Sequence, residues 1–212
     1  MYIIFFHQAL SVKKTIVLLL LLFCSALASA QKLESGIYSS GLKLAFDTTT
    51  NWLTGYFEDA TGWDEVENIP RFSCAFYLEG LFDSKQITIK TYFLGDNALG
   101  TIPGILMVDS LNHISIKLEE EHGGCWNVQP FSAEALSFLV EKKTNWIQIR
   151  YINADKVFFF AEPKLNRQKK SYLIRNDIVF VEAVQNEWAY CKFLGDQERK
   201  GWIPLMNLNE LK

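Results

Sequence analysis

The chain has 212 residues, 49% of them hydrophobic and 21% charged, with a formal net charge of −3. That is enough apolar material for one large or two small cored domains. The acidic balance disfavours nucleic acid and anionic membrane as partners, because phosphate binding gains its free energy from counterion release at a basic face. The only basic cluster of note, Arg167-Gln168-Lys169-Lys170, reads as a solvated loop.

Residues 1–30 read as a secretory signal. Lys13 and Lys14 precede the apolar run 15–24, which leads into Ser25-Ala26-Leu27-Ala28-Ser29-Ala30, and cleavage is expected after Ala30. The run holds only about ten strongly apolar residues where a spanning helix needs roughly twenty, so no membrane span is expected after processing. Cys24 follows Phe23 rather than a small residue, which argues against lipid anchoring. The implied location is periplasmic or secreted. Removing residues 1–30 takes away two lysines and no acid, and moves the formal charge to −5.

Across 31–154, period-two alternation with aromatic and β-branched residues predicts strands at 42–46, 52–57, 71–78, 86–93, 102–108, 113–118, 136–141 and 146–152. Turn-forming stretches separate them, among them Asp47-Thr48-Thr49-Thr50-Asn51, Leu94-Gly95-Asp96-Asn97 and Asp109-Ser110-Leu111-Asn112. Only 131–138 has room for a short helix. The pattern predicts an all-β domain, an antiparallel barrel or sandwich. The stretch from Gly36-Ile37-Tyr38 through Leu53-Thr54-Gly55-Tyr56-Phe57-Glu58-Asp59-Ala60-Thr61-Gly62 resembles the opening of small up-and-down barrels of the avidin-like kind. That resemblance implies the shape; the rest of the domain offers no alignable set of biotin contacts. A small apolar ligand inside the barrel ranks last among the functional readings, since small barrels fill their interiors with side chains.

Three cysteines remain after processing. In an oxidising compartment the best pair is Cys74 with Cys125, both in the first half, whereas Cys191 lies in the second. The alternative is that all three are small buried hydrophobes. The chemical inventory is short. His113 reads as a structural histidine at a strand start, and His122-Gly123-Gly124-Cys125 suggests a Cys/His pair only if Cys125 is free. Zinc needs three or four ligands, and no suitable spacing supplies them. The acidic stretches 59–67 and Glu119-Glu120-Glu121 do not reproduce a calcium loop and read as solvated. No nucleophile elbow, P-loop or dinucleotide fingerprint is present, so neither metal nor cofactor is expected.

Residues 155–212 read as a small barrel's worth of strand, at 156–160, 171–173, 178–184, 188–193 and 201–203, with a final turn through Leu208. Glu162-Pro163 follows the first strand, Tyr172-Leu173 precedes the turn Asn176-Asp177, and Val179 and Val181 alternate on the next strand. Asn186-Glu187-Trp188-Ala189-Tyr190 and Gly201-Trp202-Ile203 complete the pattern. Together these elements resemble the bacterial SH3 family. Asn176 stands where the family usually has glycine, and asparagine also tolerates positive φ. Val157-Phe158-Phe159-Phe160 departs from the family's more polar first strand. The resemblance implies an SH3-like domain with an aromatic-lined peptide groove, for which Tyr172, Trp188, Tyr190 and Trp202 are the candidate ligand-binding residues. The two tryptophans serve equally well as core closures.

The organisation expected is therefore a signal over 1–30, a β-barrel or sandwich over 31–154 and an SH3-like domain over 155–212, with the two halves packed together because no linker separates them. The function expected is non-enzymatic binding in the cell envelope, with a peptidoglycan peptide or a protein segment as partner. The alternatives are a hydrolytic enzyme with its site in the first β-domain, or an inhibitor or immunity protein.

Overall fold

The alternation written in the sequence is realised as antiparallel strands throughout. The computed structural model describes residues 33–83, 86–94, 100–109 and 113–211, so the expected signal segment and parts of the turns at 94–97 and 109–112 lie outside the described residues. Strands β1 (Gly36–Tyr38), β2 (Leu42–Asp47), β3 (Trp52–Trp63), β4 (Pro70–Leu81) and β5 (Gln86–Tyr92) run in consecutive hairpins. They continue through β6 (Ile102–Val108), β7 (Ile114–Leu118) and β8 (Leu136–Phe138), and β9 (Val140–Lys143) returns to pair with β1. The fold is all-β, with a nearly closed barrel-like first sheet.

Closure of that sheet rests on one residue. The stretch expected as a single strand over 136–141 divides at Leu139, so that β8 pairs with β7 at one end of the sheet and β9 with β1 at the other. The chain itself crosses the gap. Ser39 holds the crossing from both sides: its backbone N–H donates to the Leu139 carbonyl (2.9 Å), and its Oγ accepts the Leu139 N–H (3.0 Å). No α-helix forms at 131–138; Phe131 instead sits inside the barrel, where its ring meets Phe57 edge-on at 4.9 Å and Phe76 at 5.1 Å. Leu44, Leu53, Leu78, Ile89, Leu106 and Ile116 fill out the same interior. Side chains occupy the barrel, as small barrels require.

Gly55 shows how tightly this interior is filled. A Cβ there would lie 2.5 Å from Leu44 Cδ2 and 2.9 Å from Leu78, so the glycine makes room for two leucines on its neighbouring strands.

The second sheet contains β10 (Gln148–Tyr151), β11 (Lys156–Phe160), β12 (Gln168–Ile174), β13 (Ile178–Gln185), β14 (Trp188–Leu194) and β15 (Glu198–Pro204), in the order β10-β13-β14-β15-β11-β12. Its core is Val157, Phe159, Val179, Val181, Ala189 and Ile203, with Cys191 and Leu208. Asn176 adopts φ +70° at the turn before β13, the conformation for which asparagine is the usual substitute for glycine. Strand β10 lies within the first-half range 31–154, yet its hydrogen-bonded neighbour is β13 of the second half.

The sheets meet across a buried, largely apolar seam. Trp146 and Phe180 stack at 4.1 Å over Ala45, Tyr77 and Ile149. Ile149 pairs with Phe180 on one edge of β10; on the other edge, where a neighbouring strand would stand, its N–H donates to Thr54 Oγ1 (2.7 Å) and its carbonyl accepts the Tyr77 hydroxyl (2.7 Å). Residues from Leu33 onward pack as one compact unit.

Because an orphaned buried backbone group costs about 1–3 kcal/mol, Tyr77→Phe and Thr54→Val are each expected to lower the unfolding free energy by that amount. Denaturant titration followed by tryptophan fluorescence and by circular dichroism should give one coincident transition for both sheets. Two separated transitions would contradict a shared seam.

Candidate ligand-binding face

The second sheet sorts its side chains by alternation, interrupted by irregularities between Phe158 and Phe160 and between Val181 and Ala183. With Val157 and Phe159 in the core, Phe158 and Phe160 point outward; with Ala189 and Cys191 inside, Trp188, Tyr190 and Lys192 face out; with Gly201 and Ile203 inside, so does Trp202. Register then aligns them across four adjacent strands: Tyr190 opposite Trp202, Trp202 opposite Phe160, and Phe158 opposite Tyr172. A Cβ on Gly201 would fall 2.8 Å from the Phe160 carbonyl, so glycine lets β15 and β11 approach here.

All four residues singled out in the sequence lie on this one face. Tyr190 meets Trp202 at 5.4 Å, Trp188 packs edge-on against Phe160 at 5.1 Å, and Tyr172 meets Phe158 at 6.0 Å. Trp188 and Trp202 are half-buried and stand outside the core, while Tyr172 is 46% exposed. Phe158 and Phe160 complete the band and were not among the residues expected there. The signal was present for Phe158: a strand whose Val157 and Phe159 face inward turns Phe158 out, while Phe160, beyond an irregularity, lies buried against Trp188. Lys156 Nζ lies 4.1 Å from the Tyr172 ring centre and 5.1 Å from that of Phe158, within cation–π range. Lys192 is held between Glu182 and Glu198. The face thus offers flat apolar area with cationic groups on it.

The other half of the same outer face is covered. Phe180 on β13 and Ile149 on β10 belong to the seam with the barrel, with Ile178 and Tyr151 packed beside them. The barrel therefore shields one half of the sheet and leaves the aromatic band free.

The remaining chemical candidates have structural roles. Cys125 is bonded to Cys74, 51 positions away in sequence, and cannot serve as a nucleophile in that form. By restricting the unfolded chain, a loop of this length contributes about 4 kcal/mol. Gly124, at φ +84°, makes the turn possible; a Cβ there would lie 2.7 Å from the Ser73 carbonyl on β4. The remaining cysteine of the described residues, Cys191, is buried, and burial pushes its thiol well above the ordinary range. Glu121 is a clamp rather than a solvated acid, accepting the N–H groups of Phe131 and Ser132 and the Ser132 hydroxyl. His113 pairs with Asp109 at 3.5 Å. Among the described residues no group of three His, Cys, Asp or Glu side chains is placed to hold a metal ion.

His122 is buried between the rings of Phe76 (4.9 Å) and Phe93 (4.8 Å), with Nε2 at 2.7 Å from Thr91 Oγ1. Burial pulls its pKa down to about 4, partly offset by the Glu121 carboxylate. Since the unfolded chain protonates this histidine near 6.5 and the folded chain resists protonation, its contribution is complete above pH 6.5. It is lost as pH falls toward 4, by up to about 3 kcal/mol. Denaturant titrations at pH 7 and pH 4 should show that fall, reduced in His122→Gln; an equal fall in both proteins would contradict the assignment.

In comparisons with protein-family models, with curated proteins and with solved structures, nothing matches this chain.

Proposed function

We propose that this chain is an exported, non-enzymatic binding protein of the bacterial cell envelope, and that its second sheet is an SH3-like barrel holding a wall peptide on its outer aromatic band. The observation that carries this reading is the band itself. Six aromatic side chains from four adjacent strands share one face that the barrel does not cover, Tyr172 exposed, Phe158, Trp188, Tyr190 and Trp202 half-buried, and Phe160 buried against Trp188 as their footing. Contiguous apolar surface kept in water is retained for contact, and flat rings bind extended peptides at low cost in side-chain entropy. Lys156, poised over Tyr172, favours a peptide carrying carboxylates. Export is supported by the signal-like residues 1–30 and by the Cys74–Cys125 bridge, which belongs to oxidising compartments. Among the described residues no helix is long and apolar enough to cross a membrane.

A second reading, contact with a protein in the manner of an inhibitor, is favoured by the hairpin of β3 and β4. The two strands stay in register from Trp52–Leu81 out to Trp63–Pro70, and the end carries Trp63, Val66 and Ile69 at 58%, 93% and 53% exposure. Asp64 fixes the turn by accepting the N–H groups of Val66 and Glu67, which hold its carboxyl below the ordinary range.

The test is a pelleting assay of residues 31–212 with purified peptidoglycan sacculi. Wild type should be retained, and Tyr172→Ala, Tyr190→Ala and Trp202→Ala, with unchanged circular dichroism, should each weaken retention about tenfold or more. Absence of wild-type retention, or retention untouched by all three substitutions, would overturn the reading and leave the hairpin as the leading contact surface.

A further inference from the structure

Beside its buried apolar contacts the seam opens into a cleft of about 530 Å³. Glu79 on β4 and Lys90 and Tyr92 on β5 form one wall, all on the outer surface of the barrel; Tyr151, Asn153 and Asn209 form the other. The volume falls within the ~300–1,000 Å³ usual for small-molecule sites, which favour such junctions between packed units.

The walls are held in place from behind. Tyr77, pinned through its hydroxyl to the Ile149 carbonyl, packs against Tyr92 at 5.3 Å and Tyr151 at 5.4 Å, so one buried ring fixes the aromatic groups of both walls. Asn209 is tied to Tyr151 twice, Oδ1 accepting the Tyr151 N–H (2.8 Å) and its own N–H reaching the Tyr151 carbonyl (3.0 Å), while Arg150 Nη2 donates to the Asn209 carbonyl. Geometry set before binding spares a ligand the cost of ordering it.

The chemistry of the walls selects a ligand class. Lys90, which is exposed, stands cross-strand from the buried Glu79, so an ammonium donor lies beside the aromatic rings. An apolar ligand would desolvate that ammonium without replacing its hydrogen bonds. An anion would face the carboxylates of Glu79 and Glu210 against a single ammonium. A neutral polyol suits these walls: each hydroxyl both donates and accepts, and the C–H face of a sugar ring is complementary to an aromatic ring. Burial, with Tyr77, Glu79 and Tyr151 close by, keeps the Tyr92 phenol protonated.

We infer that this seam cleft binds one pyranose residue of a carbohydrate. The site shares no residue with the aromatic band, and the inference stands without the wall-peptide reading.

The experiment is an amide NMR titration of residues 31–212 with glucose, galactose, mannose and N-acetylglucosamine, with lysine as a cationic comparison. At least one sugar should give saturable shifts at residues 92, 151, 153 and 209, with a dissociation constant on the order of 1 mM. Thr101→Trp, at an exposed rim position, should abolish those shifts by filling the cleft, and Lys90→Ala, also exposed, should weaken binding about tenfold. Trp202→Ala should leave them unchanged, which separates this site from the band. The inference is overturned if no sugar shifts these residues, if lysine alone does so, or if sugar shifts persist undiminished in both cleft variants.

Discussion

Everything distinctive about this molecule depends on how the free edge of one short strand is satisfied. Strand β10 has β13 on one side and no strand on the other, and an edge of that kind, buried, would leave the Ile149 N–H and carbonyl without partners. Thr54 and Tyr77, projecting from the outside of the barrel, take the place of the missing strand. The contact ties the two sheets at a defined register, because side-chain hydrogen bonds of this kind tolerate little sliding. It also uses Tyr77 twice, as a hydrogen-bond donor to β10 and as the ring behind Tyr92 and Tyr151.

From that anchor the division of the second sheet follows. Its core face is filled by aliphatic side chains with Phe159 and, partly buried, Phe193, so its other aromatic side chains appear on the outer face. The barrel covers β10 and β13 there and leaves the band across β14, β15, β11 and β12 without a cover, half-buried to exposed except at Phe160. The barrel is itself braced at points remote from the seam: the Leu139 crossing joins its end strands, the disulfide fastens the turn at Cys125 to β4, and Phe131 and His122 pack against Phe76. A rigid barrel is what allows a few side chains on its exterior to position a second sheet.

Much of this was legible in the residues. Alternation identified the all-β class and most strands, because the faces of a half-buried sheet must differ in polarity, and compartment logic together with chain position singled out Cys74 with Cys125. What alternation cannot supply is the identity of a strand's neighbour. Strand β10 reads as a continuation of the first half, yet it pairs with β13, and the split at Leu139 is invisible because residues on both sides of it keep strand character. The helix considered at 131–138 did not form because Phe131 is needed inside the barrel. Tyr172, Trp188, Tyr190 and Trp202 share one face as their spacing allowed, and Phe158 joins them only once Val157 and Phe159 are seen to point inward. The cleft had no sequence signal at all: Glu79, Tyr151 and Asn209 are brought together by the seam alone.

The central claim is that the half of the second sheet left uncovered by the barrel is where a partner sits. Hydroxyl-radical footprinting of residues 31–212, alone and bound to peptidoglycan sacculi, tests it most directly. The account predicts protection concentrated at Tyr172, Trp188, Tyr190 and Trp202, with Trp63 and Trp126 unchanged. Protection confined to Trp63, Val66 and Ile69, with the band as reactive as in the free protein, would contradict it.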